Sequence, residues 1–385
     1  MRIEAGTIRA VGTLVAQPTD QIRDLHGWLL LPAPVEPHAH LDKALLADRV
    51  PNPKGDLLTA ITSIMAFSPH LTVEDIIMRA TEAVRRSVRN GITAIRTHAD
   101  LHEHHGLRSV EALLEVKQRV ADIADVQVAC LVGWPLLGQD GAAHRALLAA
   151  AIAAGIDVVG GCPHLDEDPV ETMAALLDAA GDAGLPIDLH TDETLNPAML
   201  NLVDLAARVR ATGFRQHVTA SHCVSLGVQS PDRQREVAAD VADAGIAVVA
   251  LPQTNLFLQG RDSPIATPRG LTALRPLLDA GVTLAAGADN LQDPFNTMGR
   301  ADPFETAALL VMAGHLTPDE AFDAVTVASR QALGLPAVSV RVGSPAELLA
   351  VRSPTLRAAI ADAPMDRIVV HRGRIVSTMR VVHEP

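Results

Sequence analysis

Val35-Glu36-Pro37-His38-Ala39-His40-Leu41-Asp42-Lys43 follows an apolar run, Trp28-Leu29-Leu30-Leu31, and Pro32. On an extended strand, residues i and i+2 project from one face, so His38 and His40 can lean toward a single ion. Zinc and similar divalent ions take imidazole nitrogens at about 2.0–2.1 Å, which suits two such rings. Two polar residues at an exposed strand end would give the same spelling. The rest of the chain decides between the two.

Downstream, apolar strand-like runs alternate with helical stretches. The runs end near His40, His98, Trp134, His164, His190, His222, Gln253 and Asp289. Most of the intervals are near the ~30 residues that a βα repeat needs. Helical periodicity over Val73 to Val88, Val110 to Val120 and Arg233 to Ala244 fills the gaps. The expected fold is α/β, a (β/α)8 TIM barrel over residues 34–337, with its chemistry at the C-terminal ends of the strands. A doubly wound open sheet would normally place a Gly-rich phosphate turn after its first strand, where this chain has the histidine pair.

The two chain ends have a different texture. Gly6 to Gly12 and Gln21 to Leu25 read as short strands, as do Glu347 to Val351 and Arg367 to Val376, the last with a turn at Arg372-Gly373. Neither end alone has enough strands to bury a face, so residues 1–33 and 338–385 are expected to form one small β domain.

Composition narrows the partners. The 385-residue chain is 48% hydrophobic, ample for a large core, and carries a formal net charge of −13. An acidic protein does not attract nucleic acid or an anionic membrane surface, whereas small neutral or cationic molecules suit it. Cys130, Cys162 and Cys223 are too few and too scattered for a disulfide framework, which points to a reducing cytoplasm. No signal-peptide pattern opens the chain, and no apolar run is long enough to span a bilayer. The sequence is compatible with a homo-oligomer.

Ligand-type side chains recur at the strand ends: His38 and His40 after the first, His190-Thr191-Asp192-Glu193 after the fifth, His222 after the sixth and Asp289 after the eighth. Any one of them could be an ordinary core or rim residue. Four strand ends on one barrel face favour a metal site. Together with Arg96-Thr97-His98-Ala99-Asp100, Leu258-Gln259-Gly260-Arg261 and Gly287-Ala288-Asp289-Asn290, these segments resemble the amidohydrolase superfamily, in particular its cytosine deaminase-like branch. The resemblance implies a metal held by His38, His40, His190 and Asp289, with Glu193 and His222 beside it. It also implies that the chain ends form a small β-sandwich.

The chemistry then follows from charge. A divalent ion lowers the pKa of its bound water toward neutrality. Asp289 is expected to accept a proton from that water and His222 to position it, while Glu193 protonates a ring nitrogen and passes a proton to the departing amine. The expected reaction is deamination of an aminated nitrogen heterocycle with release of ammonia; hydrolysis of an N-alkylamino or cyclic amide bond in a related heterocycle is the alternative. Two-metal relatives bridge their ions with a lysine on a middle strand. The lysines here are Lys43, Lys54 and Lys117, none on the fourth strand, so one Zn²⁺ or Fe²⁺ is expected.

The third strand end reads Leu131-Val132-Gly133-Trp134-Pro135, without the Pro-Gln pair whose amide reads the pyrimidine edge in cytosine deaminases. Losing that amide weakens cytosine recognition, because a site built to hydrogen-bond a polar edge depends on it. Leu57, Trp134, Asn290 and Phe295 are the expected substrate contacts. The expected substrate is a heterocycle other than cytosine with a less polar edge.

Overall fold

The computed structural model describes residues 1–382. Its centre is a parallel sheet of eight strands paired in chain order. These are β1 (Val35–Ala39), β2 (Ala94–Leu101), β3 (Asp125–Val132), β4 (Val159–Gly161), β5 (Ile187–Thr191), β6 (Val218–His222), β7 (Ala247–Ala250) and β8 (Leu284–Ala286). A parallel bridge between Ala39 and Asp289 closes the circle. The fold is a (β/α)8 barrel.

Several strands are shorter than their apolar runs. Asp289 lies three residues past the end of β8, His164 sits in a single turn over Pro163–Leu165, and Gln253 belongs to a short helix over Pro252–Leu258. The seam between β1 and β8 is held by a buried carboxylate as well as by the bridge. Glu36 accepts the Ala288 N–H at 2.9 Å and the His38 N–H at 3.3 Å, and burial pushes its carboxyl up to about 8. Pro37 has no N–H to donate to a ladder, and the pairing of β1 with β2 shifts register between Glu36 and Ala39. At Gly160 on β4 a β-carbon would stand 2.5 Å from the Cys130 carbonyl oxygen and 2.7 Å from that of Asp188. Only glycine fits so tight an approach.

The helices lie where hydrophobic periodicity puts them, at Val73–Arg89, Arg108–Arg119 and Pro231–Asp243. Thr72 caps the first by accepting the Asp75 N–H; Glu74 and Asp75 sit at its positive end and Arg86 and Arg89 at its negative end. From that helix Arg79 reaches under the loop after β1, donating to the carbonyls of Asp42 at 2.9 Å and Ala44 at 2.8 Å. A further helix, Leu57–Phe67, was not anticipated. Asp56 caps it by accepting the Thr59 N–H at 2.7 Å, and because Leu58 and Met65 stand on its exposed side, apolar letters do not mark its buried face.

The chain ends meet in antiparallel sheets. Leu29–Pro32 pairs with Leu348–Val351, which pairs with Arg367–His371, which pairs with Arg374–Met379. Arg2–Glu4 and Thr7–Ala10 form a second, two-stranded sheet, bridged to the C-terminal part through Thr7 and Pro345. The strand expected over Gln21 to Leu25 is not formed. That stretch is largely exposed and pairs with nothing, because its two apolar residues, Ile22 and Leu25, are three apart and offer no alternating face.

Candidate metal centre and cavity

The C-terminal ends of the strands open into a cavity of about 520 Å³. Nine of the ten residues expected to form the site line it; the tenth, His38, is fully buried, as is His98 at the end of the second strand run. At the floor the ring nitrogens converge. His190 Nε2 lies 3.1 Å from His38 Nε2 and 3.2 Å from His40 Nε2. Asp289 Oδ1 lies 3.2 Å from His40 Nε2 and 3.7 Å from His38 Nε2.

These separations are informative. Four ligands at about 2.0–2.1 Å around a tetrahedral ion stand about 3.3–3.4 Å apart, close to the spacing of these donors. Neither oxygen of the buried Asp289 carboxylate has a hydrogen-bond partner, and three imidazole nitrogens at such distances cannot all donate to one another. Burial, and then the neighbouring imidazoles, push His38 and His190 well below the ordinary histidine range, which favours the neutral rings that present lone pairs. The donor set suits a divalent metal ion. His38 is shared by close donor groups, one with His40 and Asp289 and one with His190 and His222.

Glu193 is buried at the floor. Its carboxyl is 3.6 Å from His222 Nδ1 and is raised well above the ordinary carboxylate range, by burial and then by the charge of Asp289. His222 Nδ1 also meets Asn255 Oδ1 at 3.1 Å, while its Nε2 is unpartnered and 4.0 Å from Asp289 Oδ2. Strand geometry contributes directly: Asp192, His222 and Asp289 all have positive φ, where the chain turns sharply out of its strand.

The walls are mostly apolar. Leu57, Leu58, Ile61 and Met65 from the Leu57–Phe67 helix line the cavity together with Leu131, Trp134 and Pro135. Phe295 closes one side, and Asn290 is fixed by donating to Asp293 at 2.8 Å.

The sequence model of the amidohydrolase family matches residues 57–377. The chain belongs to the amidohydrolase family. It is thus a hydrolase acting on C–N bonds. Among curated members, a pterin deaminase of Rhizobium rhizogenes is 32% identical over 360 residues, covering 92% of this chain and 82% of that protein. The structure of a 5-methylcytosine deaminase from Klebsiella pneumoniae liganded with 5-fluorocytosine superposes with TM-score 0.88 at 28% identity, covering 100% of this chain and 95% of that one. That of an N-isopropylammelide isopropylaminohydrolase from Burkholderia multivorans gives TM-score 0.83 at 29% identity, over 98% and 94%.

This amidohydrolase also places residues at the site that sequence reading did not single out. Lys43 lines the cavity with its ammonium 2.8 Å from Asp100 Oδ1, 3.1 Å from Asp42 Oδ1 and 3.1 Å from His40 Nδ1. Burial opposes its charge, but Asp100 and Asp42 more than offset that and raise it. The adjoining Asp42-Lys43 in the quoted stretch was the available signal. Asp188 and Ser221 lie buried against the His38 ring, joined by Arg96 from one of the segments that carry the resemblance, and their polar letters inside apolar strands were the clue.

Proposed function

We propose that this amidohydrolase is a metal-dependent hydrolytic deaminase of an aminated nitrogen heterocycle other than cytosine. The observation that carries the reading is that His190 Nε2 and Asp289 Oδ1 each lie within 3.1 to 3.7 Å of both His38 Nε2 and His40 Nε2, at the base of a cavity that also holds the buried Glu193. His38, His40, His190 and Asp289 would hold one Zn²⁺ or Fe²⁺. When bound, the ion would acidify a water enough to make it a nucleophile at neutral pH.

The remaining work belongs to the side chains. The unpartnered Asp289 Oδ2 is available to accept a proton from the attacking water. His222 Nε2, unpartnered and near Asp289, orients that water from the other side. Glu193 supplies its proton to the ring nitrogen beside the amino-bearing carbon, takes the proton of the hydroxyl newly added to that carbon and passes it to the departing amine, and regains its own from the proton that Asp289 took from water. The products are a ring carbonyl and ammonia.

Leu57, Trp134 and Phe295 make an apolar enclosure for a flat ring, and Asn290 offers it a single amide. No glutamine stands at the Trp134 position to read a pyrimidine edge. The pterin and 5-methylcytosine deaminases among the relatives support ring deamination, and the N-isopropylammelide enzyme supports the alternative, release of an alkylamine from an N-alkylamino heterocycle. Among the described residues no helix is long and apolar enough to cross a membrane. The three cysteines are free, as suits a protein of the reducing cytoplasm.

The test is a panel of aminated pyrimidines, purines, pterins and triazines offered to metal-loaded protein, with ammonia and alkylamine measured separately. Ammonia from a ring other than cytosine is expected. Cytosine as the best substrate would refute the substrate argument, and no amine release from any ring would refute the function.

A further inference from the structure

Beneath the donor cluster, a chain of buried polar groups crosses four strands. His38 Nδ1, on β1, lies 2.9 Å from Ser221 Oγ on β6. The Ser221 hydroxyl donates to Asp188 Oδ1 on β5 at 2.8 Å. Asp188 Oδ2 accepts from Arg96 Nη1 on β2 at 2.9 Å. None of the four is more than 1% exposed. Arg96 is anchored in turn by Gln127, which accepts from its Nε at 3.1 Å and its Nη2 at 3.0 Å, and Gln127 donates to the Leu333 carbonyl.

The direction of every bond in this chain is fixed by chemistry. Arginine only donates, and an ionised carboxylate paired with it only accepts. Ser221 has one hydroxyl proton, which Asp188 takes, so toward His38 its oxygen can only accept. His38 must then carry its proton on Nδ1, which leaves the Nε2 lone pair facing His190 Nε2 and Asp289 Oδ1. In most metal sites a ligand histidine is oriented by a direct contact to a carboxylate or carbonyl. Here the carboxylate is 4.0 Å from the ring and acts through a hydroxyl.

We propose that Arg96, Asp188 and Ser221 are positioning residues that lock His38 in its Nδ1–H tautomer and so hold Nε2 open to the ion. The tautomer half of the proposal stands on the hydrogen bonds alone; the metal half rests on the proposed function. The cost of burying Arg96 and Asp188 beneath the site is offset only as a pair, so the pair and the hydroxyl function as a unit.

Two measurements test it. Two-bond ¹H–¹⁵N spectra of metal-free, ¹⁵N-histidine-labelled protein are expected to show His38 protonated at Nδ1, and to show that preference lost in Ser221→Ala. A wild-type His38 protonated at Nε2 overturns the proposal. In competition with a chelator, Zn²⁺ is expected to bind Ser221→Ala about 10–100-fold more weakly than wild type, with Ser221→Thr recovering most of the loss. Asp188→Asn is expected to weaken binding in the same range, and Ser221→Ala keeps the test decisive if that variant does not fold. Unchanged Zn²⁺ affinity in folded Ser221→Ala overturns the metal half. Wild-type protein with the expected tautomer but no Zn²⁺ uptake would sink the metal-dependent function and the metal half with it, while leaving the tautomer half standing.

Discussion

Ala39 and Asp289 form a parallel bridge across the seam between the first and last barrel strands. Ala39 lies between His38 and His40, so the bridge that closes the barrel also carries the Asp289 carboxylate to the two rings. Closure and donor assembly are therefore one structural event. An ion bound at this seam ties β1 to β8 and is absent from the unfolded chain, so it adds stability by mass action, about 4 kcal/mol when free metal is 1,000-fold above Kd. Elemental analysis should find one divalent ion per chain, and chelation should lower Tm. Two tightly bound ions would contradict a site built without a bridging lysine.

Glu193→Gln retains the shape and some hydrogen bonding of the side chain but cannot transfer a proton. Turnover should fall by roughly 10²–10⁴-fold while metal content is unchanged. Glu193 lies beyond the donors that face one another at the floor, so its loss should not release the ion. A variant with near-normal turnover would remove Glu193 from the mechanism.

The same carboxyl sets a pH dependence. Burial and then the charge of Asp289 raise it, which favours the protonated form from which it must donate. A group that works protonated is competent below its pKa and fails as pH rises through it. The kcat profile should therefore be level near neutrality and decline on the alkaline side, and the residual rate of Glu193→Gln should lack that limb. A wild-type profile that instead rises steadily into alkaline pH would show that Glu193 is not the proton donor.

The barrel and the donors were legible because both are written in local spacing. A βα repeat recurs at near-constant intervals, and His38, His40, His190 and Asp289 each stand at or just beyond the end of an apolar run. Leu57–Phe67 was not legible, since Leu58 and Met65 are apolar but exposed and blur its period, yet it supplies part of the cavity lining. The Arg96, Asp188 and Ser221 chain was hidden for another reason. Its members are 92 and 33 residues apart, and nothing local says that they meet. Gln21 to Leu25 failed in the opposite direction, because a strand-like composition forms no strand without an edge to pair with.

Lys43 carries a consequence for the loaded protein. Its ammonium is 3.1 Å from His40 Nδ1 and donates to it. A histidine that gives its Nε2 lone pair to an ion carries its proton on Nδ1, and that nitrogen then becomes a donor itself. Two donors cannot share this contact. Asp100 Oδ1 at 2.8 Å and Asp42 Oδ1 at 3.1 Å still accept from the lysine, so it can leave the ring without losing its counter-charges. In a crystal structure of the metal-loaded protein, Lys43 Nζ should stand beyond hydrogen-bond distance from His40 Nδ1 and closer to Asp100 and the cavity. Lys43→Met removes the competing donor, so Zn²⁺ affinity should be equal to or higher than that of wild type. A loaded structure that keeps the 3.1 Å contact, or a Lys43→Met variant that loses its metal, would mean that the ammonium supports His40 as a ligand instead of yielding to it.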